Sequence, residues 1–477
     1  MTNTAVGTAS TEPPVVASTR TPQTELAHGA ELVFRPGRWI DNWDPEDTEQ
    51  WNSAGRAIAK RNLGWSIFAE FLGFVIWQLW SIMVVALPKA GFTLSTSEIF
   101  WLISIPSLVG ATLRFPYSFL VPKFGGRNWT VISAGLLLIP AIALAIVVGN
   151  PDTPFGVLLG IAALAGFGGG NFASSMSNIT FFYPQSEKGW ALGLNAAGGN
   201  LGAAVAQFVV PIVITIGAAA TLNLPLAGWV WVPFIVLAMF GAHRYMDNLS
   251  SAKADFAGSA SALREPHLWL LALLYIGTFG SFIGFAAVFP KLIADQFPDF
   301  STFQLGSAAV SLAFLGALVG SLARPYGGRL ADRFGGARVT MTAFFVMAIG
   351  ALSVMFTLPL GNFWVFLCCF LLLFVASGIG NGSTYRMIPS VFAARAERSG
   401  TGAGITTQRK AAAALGLISA IGAYGGFLIP QILNLSHGAT GGYQSAFFGF
   451  VAAYLVLLTT TYFVYVRRGS SLARYTV

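Results

Sequence analysis

The sequence predicts an all-α polytopic membrane protein, with twelve transmembrane helices arranged as two six-helix lobes. Three observations lead there. The 477 residues are 55% hydrophobic and only 10% charged, far less charge than a soluble domain carries. Apolar segments of spanning length recur along the chain. The second half also repeats the first. Arg114 lies ten residues before Phe124-Gly125-Gly126, and Arg324 lies ten before Phe334-Gly335-Gly336, an offset of 210. The same offset aligns Gly168-Gly169-Gly170-Asn171 with Gly378-Ile379-Gly380-Asn381.

Residues 1–61 are polar, rich in Thr, Pro, Glu and Asp, and hold Trp39, Trp43 and Trp51. They have no early apolar core of signal-peptide type. They read as a cytoplasmic tail, disordered at its start, with residues 35–61 resting at the membrane interface. The first lobe, 62–247, contains apolar segments at 62–88, 97–121, 128–149, 153–183, 188–216 and 228–247. A polar linker, 248–267, follows. The second lobe, 268–466, contains segments at 268–292, 303–325, 337–358, 361–389, 399–430 and 442–466, and residues 467–477 form a second cytoplasmic tail. The 54 glycines suit close helix contacts in lipid.

Charge fixes the expected orientation. With the N-terminus inside, the inner loops hold Lys123, Arg127, Lys188, Arg244, Lys253, Arg264, Arg329, Arg333, Arg338, Arg395, Arg398, Arg409 and Lys410. The last tail adds Arg467, Arg468 and Arg474, against Lys89 and Lys291 in the outer connections. Excess Lys and Arg mark the cytoplasmic side, so both termini are expected there. The formal charge of +8 is scattered between apolar stretches, with no basic, aromatic-interleaved patch for nucleic acid. Cys368 and Cys369 are adjacent in an apolar run and read as small core or lipid-facing residues. His28, His243, His267 and His437 are dispersed, so no metal cluster or cofactor is expected.

Six helices, a linker and six more, with parallel internal similarity, is the layout of a two-lobed alternating-access carrier. Channels also duplicate, but the short loops, the central linker and the lack of a repeated pore-helix signature favour a carrier. An ionised side chain inside a membrane is costly and functional by default. Two arginines in equivalent places point to a central site for an anion. Each lies about 15 Å from its glycine turn at 1.5 Å per residue, which approaches the bilayer middle. A guanidinium presents a planar fork of donors matched to a planar oxyanion. The bland alternative is snorkelling, or pairing with a buried acid, yet Glu70 is the one evident mid-helix carboxylate and cannot neutralise both.

The segments GFGGGNFASSMSNITFFYP (166–184) and ASGIGNGSTYRMIPSVF (376–392) resemble the two signature segments of the nitrate/nitrite porter family, a branch of the major facilitator superfamily. The similarity runs from about residue 62 to 466 and includes the arginine-bearing helices. Gly328-Arg329-Leu330-Ala331-Asp332-Arg333-Phe334-Gly335 resembles the superfamily loop between the second and third helix of each half. The resemblance implies the major facilitator fold in a bacterial cytoplasmic membrane, nitrate and nitrite as substrates, and a functional monomer among membrane lipids. It places Arg114 and Arg324 around the substrate. It also implies Asn200 as an amide donor beside the anion, the Tyr275 hydroxyl as a further donor, and Phe172 and Phe279 as cavity walls. Periodicity alone would leave these aromatics as ordinary core residues, since the chain has 40 phenylalanines.

Other residues carry two readings. Gly168, Gly169, Gly170 and Asn171, with Gly378, Gly380 and Asn381, read as helix-packing and gating positions. Ser174 and Asn178 continue a polar stripe on the face of Asn171. Asp332 with Arg333, Arg329 and Arg338 reads either as a cytoplasmic gate of salt bridges or as a charged turn that sets topology. Glu70 reads either as a proton site or as a carboxylate pinned to a polar neighbour. The expected activity is nitrate/nitrite exchange, with nitrate–proton symport as its rival. An anion channel and a non-transporting anion sensor stand further off, the first separable by flux without saturation and the second by binding without flux.

Overall fold

The computed structural model describes Thr2 and residues 31–216, 222–252, 261–398 and 405–468. Lys253, Arg474 and the side chain of Arg409, used in the charge argument, lie outside the described residues, as does most of the tail expected to be disordered.

Among the described residues the long helices are α1 (Thr48–Ala86), α2 (Thr96–Phe124), α3 (Gly126–Val147), α4 (Phe155–Phe182), α5 (Gln185–Thr215), α6 (Leu226–Tyr245) and α7 (Pro266–Gln296). The rest are α8 (Phe314–Phe334), α9 (Gly336–Leu360), α10 (Phe363–Arg398), α11 (Ile405–Ala423, continued after Tyr424 by Gly425–Thr440) and α12 (Gln444–Val466). All but α8 are long and apolar enough to cross a membrane. Helix α8 carries Arg324, Arg329, Asp332 and Arg333, and that charge is why apolarity alone does not mark it.

Several boundaries move for local reasons. Helix α1 begins at Thr48 rather than residue 62, because the Asp47 carboxylate accepts hydrogen bonds from the Glu49 and Gln50 amides and caps it. Helix α2 starts on a reciprocal Ser95/Glu98 capping box. Helix α8 starts at Phe314, not residue 303. The preceding stretch folds as a hairpin of β4 (Phe303–Leu305) and β5 (Ala308–Val310) turning at Gly306, whose φ is +65°. Lys291, expected in an outer connection, lies within α7 and pairs with Asp295. The repeated Phe-Gly-Gly turns end α2 and α8 with Gly125 at φ +87° and Gly335 at φ +89°, a backbone that L side chains rarely adopt.

Even-numbered helices end, and odd-numbered ones begin, at the face bearing the first and last described segments, the terminal face. The opposite face is distal. The segment before α1 is more than an interfacial tail. Strands β1 (Phe34–Arg35) and β2 (Trp39–Ile40) form a small sheet with β3 (Asn248–Leu249), just after α6. Buried Asp247 accepts from Arg38 Nη2 at 2.6 Å, Arg61 Nη2 at 2.7 Å and Asn62 Nδ2 at 2.9 Å. At the other end of this strap, Trp43 donates to the Phe181 carbonyl at 3.1 Å and Arg56 pairs with Glu187 at 2.9 Å. Trp43 and Trp51 are buried against the protein. The strap therefore ties α1, the α4–α5 turn and the start of the linker into one body.

Within the first lobe α1 packs on α5 and α4, and α2 on α4; within the second, α8 packs on α10. The lobes meet through α5 with α8, α2 with α11 and α1 with α7. Their hydrogen bonds lie at mid-depth and toward the distal face. Gln431 Nε2 donates to Ser104 Oγ at 2.7 Å, Asn434 Nδ2 to Ser97 Oγ at 3.2 Å, and Gln207 Nε2 to the Ala286 carbonyl at 2.6 Å. Phe100 packs edge-on against Tyr443, and Phe208 tilts against Phe314. The molecule is closed on its distal side.

Candidate functional site

Arg114 on α2 and Arg324 on α8 lie at mid-depth between the lobes, with 1% and 4% of their surface exposed. The backbone explains part of Arg114's pose. Its Nε donates to the Gly169 carbonyl at 3.1 Å and its Nη1 to the Ser419 carbonyl of α11 at 2.8 Å. The second contact crosses from one lobe to the other. Arg324 Nη2 donates to the Tyr275 hydroxyl at 3.4 Å. Among the described residues each guanidinium keeps one buried nitrogen with no hydrogen-bond partner, Nη2 on Arg114 and Nη1 on Arg324.

Both arginines stand on one aromatic wall. The Cζ of Arg114 is 4.4 Å from the centroid of Phe172 and 5.1 Å from that of Phe279; the Cζ of Arg324 is 5.7 Å from Phe172. Phe172 and Phe279 stack across the lobe boundary at 6.2 Å and 26°. Tyr275 stacks on Phe279 at 5.3 Å and 16°. A π-helical turn at Ile276–Gly280 directly follows Tyr275 and contains Phe279. Such turns interrupt regular helices, often at functional sites. Three of these side chains, Phe172, Tyr275 and Phe279, are fully buried. Face-on contact with aromatic rings stabilises a guanidinium deprived of water.

The signature glycines set the helix spacing behind this wall. A Cβ on Gly168 would lie 2.0 Å from the Gly73 carbonyl oxygen, and one on Gly378 would lie 2.2 Å from that of Gly320. A Cβ on Gly169 would meet Trp77 at 2.7 Å and the Gly110 Cα at 2.8 Å, and one on Gly170 would meet Tyr117 at 2.8 Å. On Gly380 it would meet Thr278 at 2.8 Å. The repeated motif thus puts α4 against α1 and α2, and α10 against α8 and α7. Asn171 and Asn381 are buried, with neither side-chain polar atom hydrogen-bonded. Ser174 bonds back to the Asn171 carbonyl at 3.1 Å. Asn178 Oδ1 would lie 1.8 Å from a Cβ on Gly126, so this asparagine fills the space left by the glycine turn.

Asn200 on α5 is 1% exposed, and both its amide atoms lack partners. The described contacts do not join it to the arginine pair. Buried polar groups are ordinarily paired, and the orphans on Asn171, Asn200, Asn381, Arg114 and Arg324 mark the centre of the molecule as unusually rich in unspent hydrogen-bonding capacity.

Glu70 on α1 is pinned. Asn195 Nδ2 donates to its Oε2 at 2.7 Å and also to Ser175 Oγ at 2.6 Å, which in turn lies 2.9 Å from Ser66 Oγ. The expected salt-bridge cluster at the end of α8 takes another form. Asp332 pairs with Arg386 of α10, while Arg329 and Arg333 lie over Tyr326 and Phe334. Among the described residues Arg329, Arg333 and Arg338 make no ion pair with Asp332. Helices α8 and α10 pack in the same lobe, and that proximity brings Arg386 to the carboxylate first.

Three partners of the arginines escaped the sequence reading. Trp77 lies 5.3 Å from Arg114, and Tyr385 lies 5.4 Å from Arg324 and 5.9 Å from Tyr275. The third is the Ser419 carbonyl, a backbone atom with no sequence signal. Tyr385 lies inside the second signature, but the 210-residue offset pairs it with Ser175, so the repeat concealed it. Two buried guanidiniums against aromatic rings offer the planar donor forks that an oxyanion could use.

A family model described as Major Facilitator Superfamily matches residues 68–409. The chain is similar to the nitrate/nitrite transporter NarU of Escherichia coli (strain K12), 44% identical over 453 residues that cover 90% of this chain and 96% of that protein. It is similar also to the probable nitrate/nitrite antiporter NarK2 of Thermus thermophilus, 37% identical over 459 residues, 92% of this chain and 99% of the other. Among solved structures, a mutant of the nucleoside transporter NupG aligns with TM-score 0.58 at 12% identity, covering 84% of this chain and 98% of that one. An inward-facing, occupied bacterial homolog of the human lysosomal transporter Spinster aligns with TM-score 0.59 at 15% identity, covering 84% and 95%. At such identities these two speak for the fold alone.

Proposed function

Because the chain belongs to the major facilitator superfamily and, within it, to the family of nitrate/nitrite transporters, we propose that it carries nitrate and nitrite across the membrane by alternating access, exchanging one for the other. The observation that carries the reading is the pair Arg114 and Arg324, one from each lobe, sharing Phe172 and each keeping a buried, unpartnered Nη. In this reading the anion lies between the two free donors, against Phe172 and Phe279, with the Tyr275 hydroxyl and the Asn200 amide completing its hydrogen bonds. Its negative charge offsets the repulsion of two cations in a medium of low dielectric. The lobes then rock around a loaded site, and return without an anion is disfavoured. That asymmetry is the physical basis of exchange. No bond is made or broken.

The terminal face is the cytoplasmic one in this reading, in a bacterial inner membrane, with the charge asymmetry of the loops as support. Closure at the distal side leaves the terminal side as the route by which substrate would reach the site in this conformation. Asn171 and Asn381, at the helix contacts beside the site, and the Asp332–Arg386 pair within the second lobe are the elements proposed to shift as the lobes rock. The protein works as a monomer, each chain holding both arginines.

Nitrate–proton symport is the second reading, favoured by one observation: Glu70 is a fully buried carboxylate within electrostatic reach of both Arg114 and Arg324. Labelled nitrate uptake into proteoliposomes separates the two, with lumenal nitrite and a proton gradient imposed independently at clamped membrane potential. Stimulation by lumenal nitrite with no proton requirement is the expected result. Uptake that needs an inward proton gradient and ignores lumenal nitrite would replace exchange by symport.

A further inference from the structure

We propose that Tyr385 is a further substrate-positioning residue, one that favours nitrate over nitrite. This inference rests on the nitrate/nitrite reading above. Tyr385 lies on α10, one turn nearer the terminal face than Asn381. Its ring is held between Arg324, whose Cζ is 5.4 Å from the centroid, and Tyr275, tilted at 40° and 5.9 Å. Its side chain is partly exposed as a whole, yet its hydroxyl is buried and has no hydrogen-bond partner among the described residues. A ring placed by an arginine and a tilted tyrosine could have ended in a phenyl group at no cost to packing. Leaving a hydroxyl buried and unpaired is unfavourable, so the group calls for a partner supplied from outside the chain.

The stoichiometry of donors makes it discriminating. Nitrate offers three equivalent oxygens; nitrite offers two oxygens and a nitrogen lone pair. The unpartnered Nη2 of Arg114 and Nη1 of Arg324, one from each side, account for two oxygens and satisfy either anion. The Tyr275 hydroxyl accepts from Arg324 Nη2 and keeps its own proton to donate, and the Asn200 amide adds a further donor. The hydroxyl of Tyr385, one turn toward the terminal side and against the same guanidinium, is a further buried donor, available to a third oxygen. Nitrite presents only its nitrogen lone pair where nitrate presents that third oxygen, one bond length further from the hydroxyl, and so satisfies it less well. A site built to hydrogen-bond a group discriminates against the analogue that lacks it.

The test is Tyr385→Phe in purified protein reconstituted with lumenal anion fixed, comparing KM for nitrate with the inhibition constant of nitrite. Loss of one hydrogen bond to a charged group predicts that the preference for nitrate over nitrite falls about tenfold, chiefly through nitrate. A purely packing role would change both constants together, and a misfolded fraction would change neither ratio. An unchanged ratio in a variant that still transports would overturn the assignment of Tyr385 while leaving the transport reading intact. Wild-type protein that takes up neither anion would overturn both.

Discussion

The guanidinium carbon of Arg114 lies 4.4 Å from the ring centroid of Phe172, and the ring belongs to the helix whose Gly169 carbonyl accepts the same arginine's Nε. One helix thus fixes the arginine twice, through its backbone and through its aromatic face. Phe172 then stacks on Phe279 of the opposite lobe. A change in the position of Arg114 is therefore felt directly at the lobe boundary.

Arg114→Lys keeps the charge and removes the fork. A lysine cannot donate to Gly169, to Ser419 and to an anion in the same geometry. The expected result is a rise in nitrate KM of tenfold or more, at about 1.5–3 kcal/mol per lost charge-assisted bond, with the protein still monodisperse in detergent. Arg324→Lys should behave alike. Transport kinetics in proteoliposomes check both, and wild-type kinetics in either variant would remove the arginines from the site.

Gly168→Ala tests the helix contact behind the site. The new Cβ would lie 2.0 Å from the Gly73 carbonyl, and both atoms are held by helical backbone. Overpacking of this kind costs about 1–3 kcal/mol. The thermal transition of the purified protein should fall by several degrees, and a variant at Gly160, where a Cβ meets nothing within 4 Å, should leave it unchanged.

Asp247→Ala would free the strap. Two arginines and an asparagine lose their common acceptor at a carboxylate with none of its side chain exposed. Breaking a fully buried pair costs about 3–5 kcal/mol, and the partial exposure of Arg38 and Arg61 lowers that toward the smaller values of surface pairs. Faster amide exchange over residues 34–40, with helices α7–α12 unaffected, is the expected pattern.

The same strap carries a pH dependence. Asp41 lies outside the membrane spans, and the hydrogen bond from Arg35 holds its carboxyl below its ordinary 3.8, with Ser250 adding to the shift. A depressed folded-state value stabilises the strap above the ordinary carboxylate range, and the contribution is lost as pH falls through the folded-state value. Trp39 lies under Arg35 at 5.8 Å and reports on it. Its fluorescence should stay constant from neutral pH down to that range and change only below it, and Asp41→Asn should abolish the step.

Glu70→Gln keeps an acceptor for Asn195 while removing the charge. Under exchange, trans-stimulation by nitrite should persist and remain insensitive to an imposed proton gradient. Collapse of uptake together with its proton dependence would instead identify Glu70 as the coupling group.

Much of this architecture is legible in the sequence. Twelve spanning segments follow from the water-free interior of a bilayer, which forces the backbone to satisfy its own hydrogen bonds. The positions of Arg114 and Arg324 follow from the cost of burying charge. Helix starts were less legible. At Thr48 a capping aspartate extends a helix into polar sequence, and at residues 303–310 a glycine turns an apolar run into a hairpin. Periodicity and hydropathy register neither.

By itself the sequence determined the two-lobed helical architecture and the paired arginines, because both are imposed by the membrane as solvent and are written locally in apolarity and repeated over 210 residues. The tertiary structure alone decided what surrounds those arginines: the shared Phe172 ring, the Ser419 carbonyl across the lobe boundary, Tyr385 beside Arg324, and the choice of Arg386 as the partner of Asp332. Those contacts join residues far apart in the chain, and they are selected by helix spacing at glycine-to-carbonyl contacts. The glycine motif permits that close spacing, but which surface each glycine meets is decided only when the helices pack.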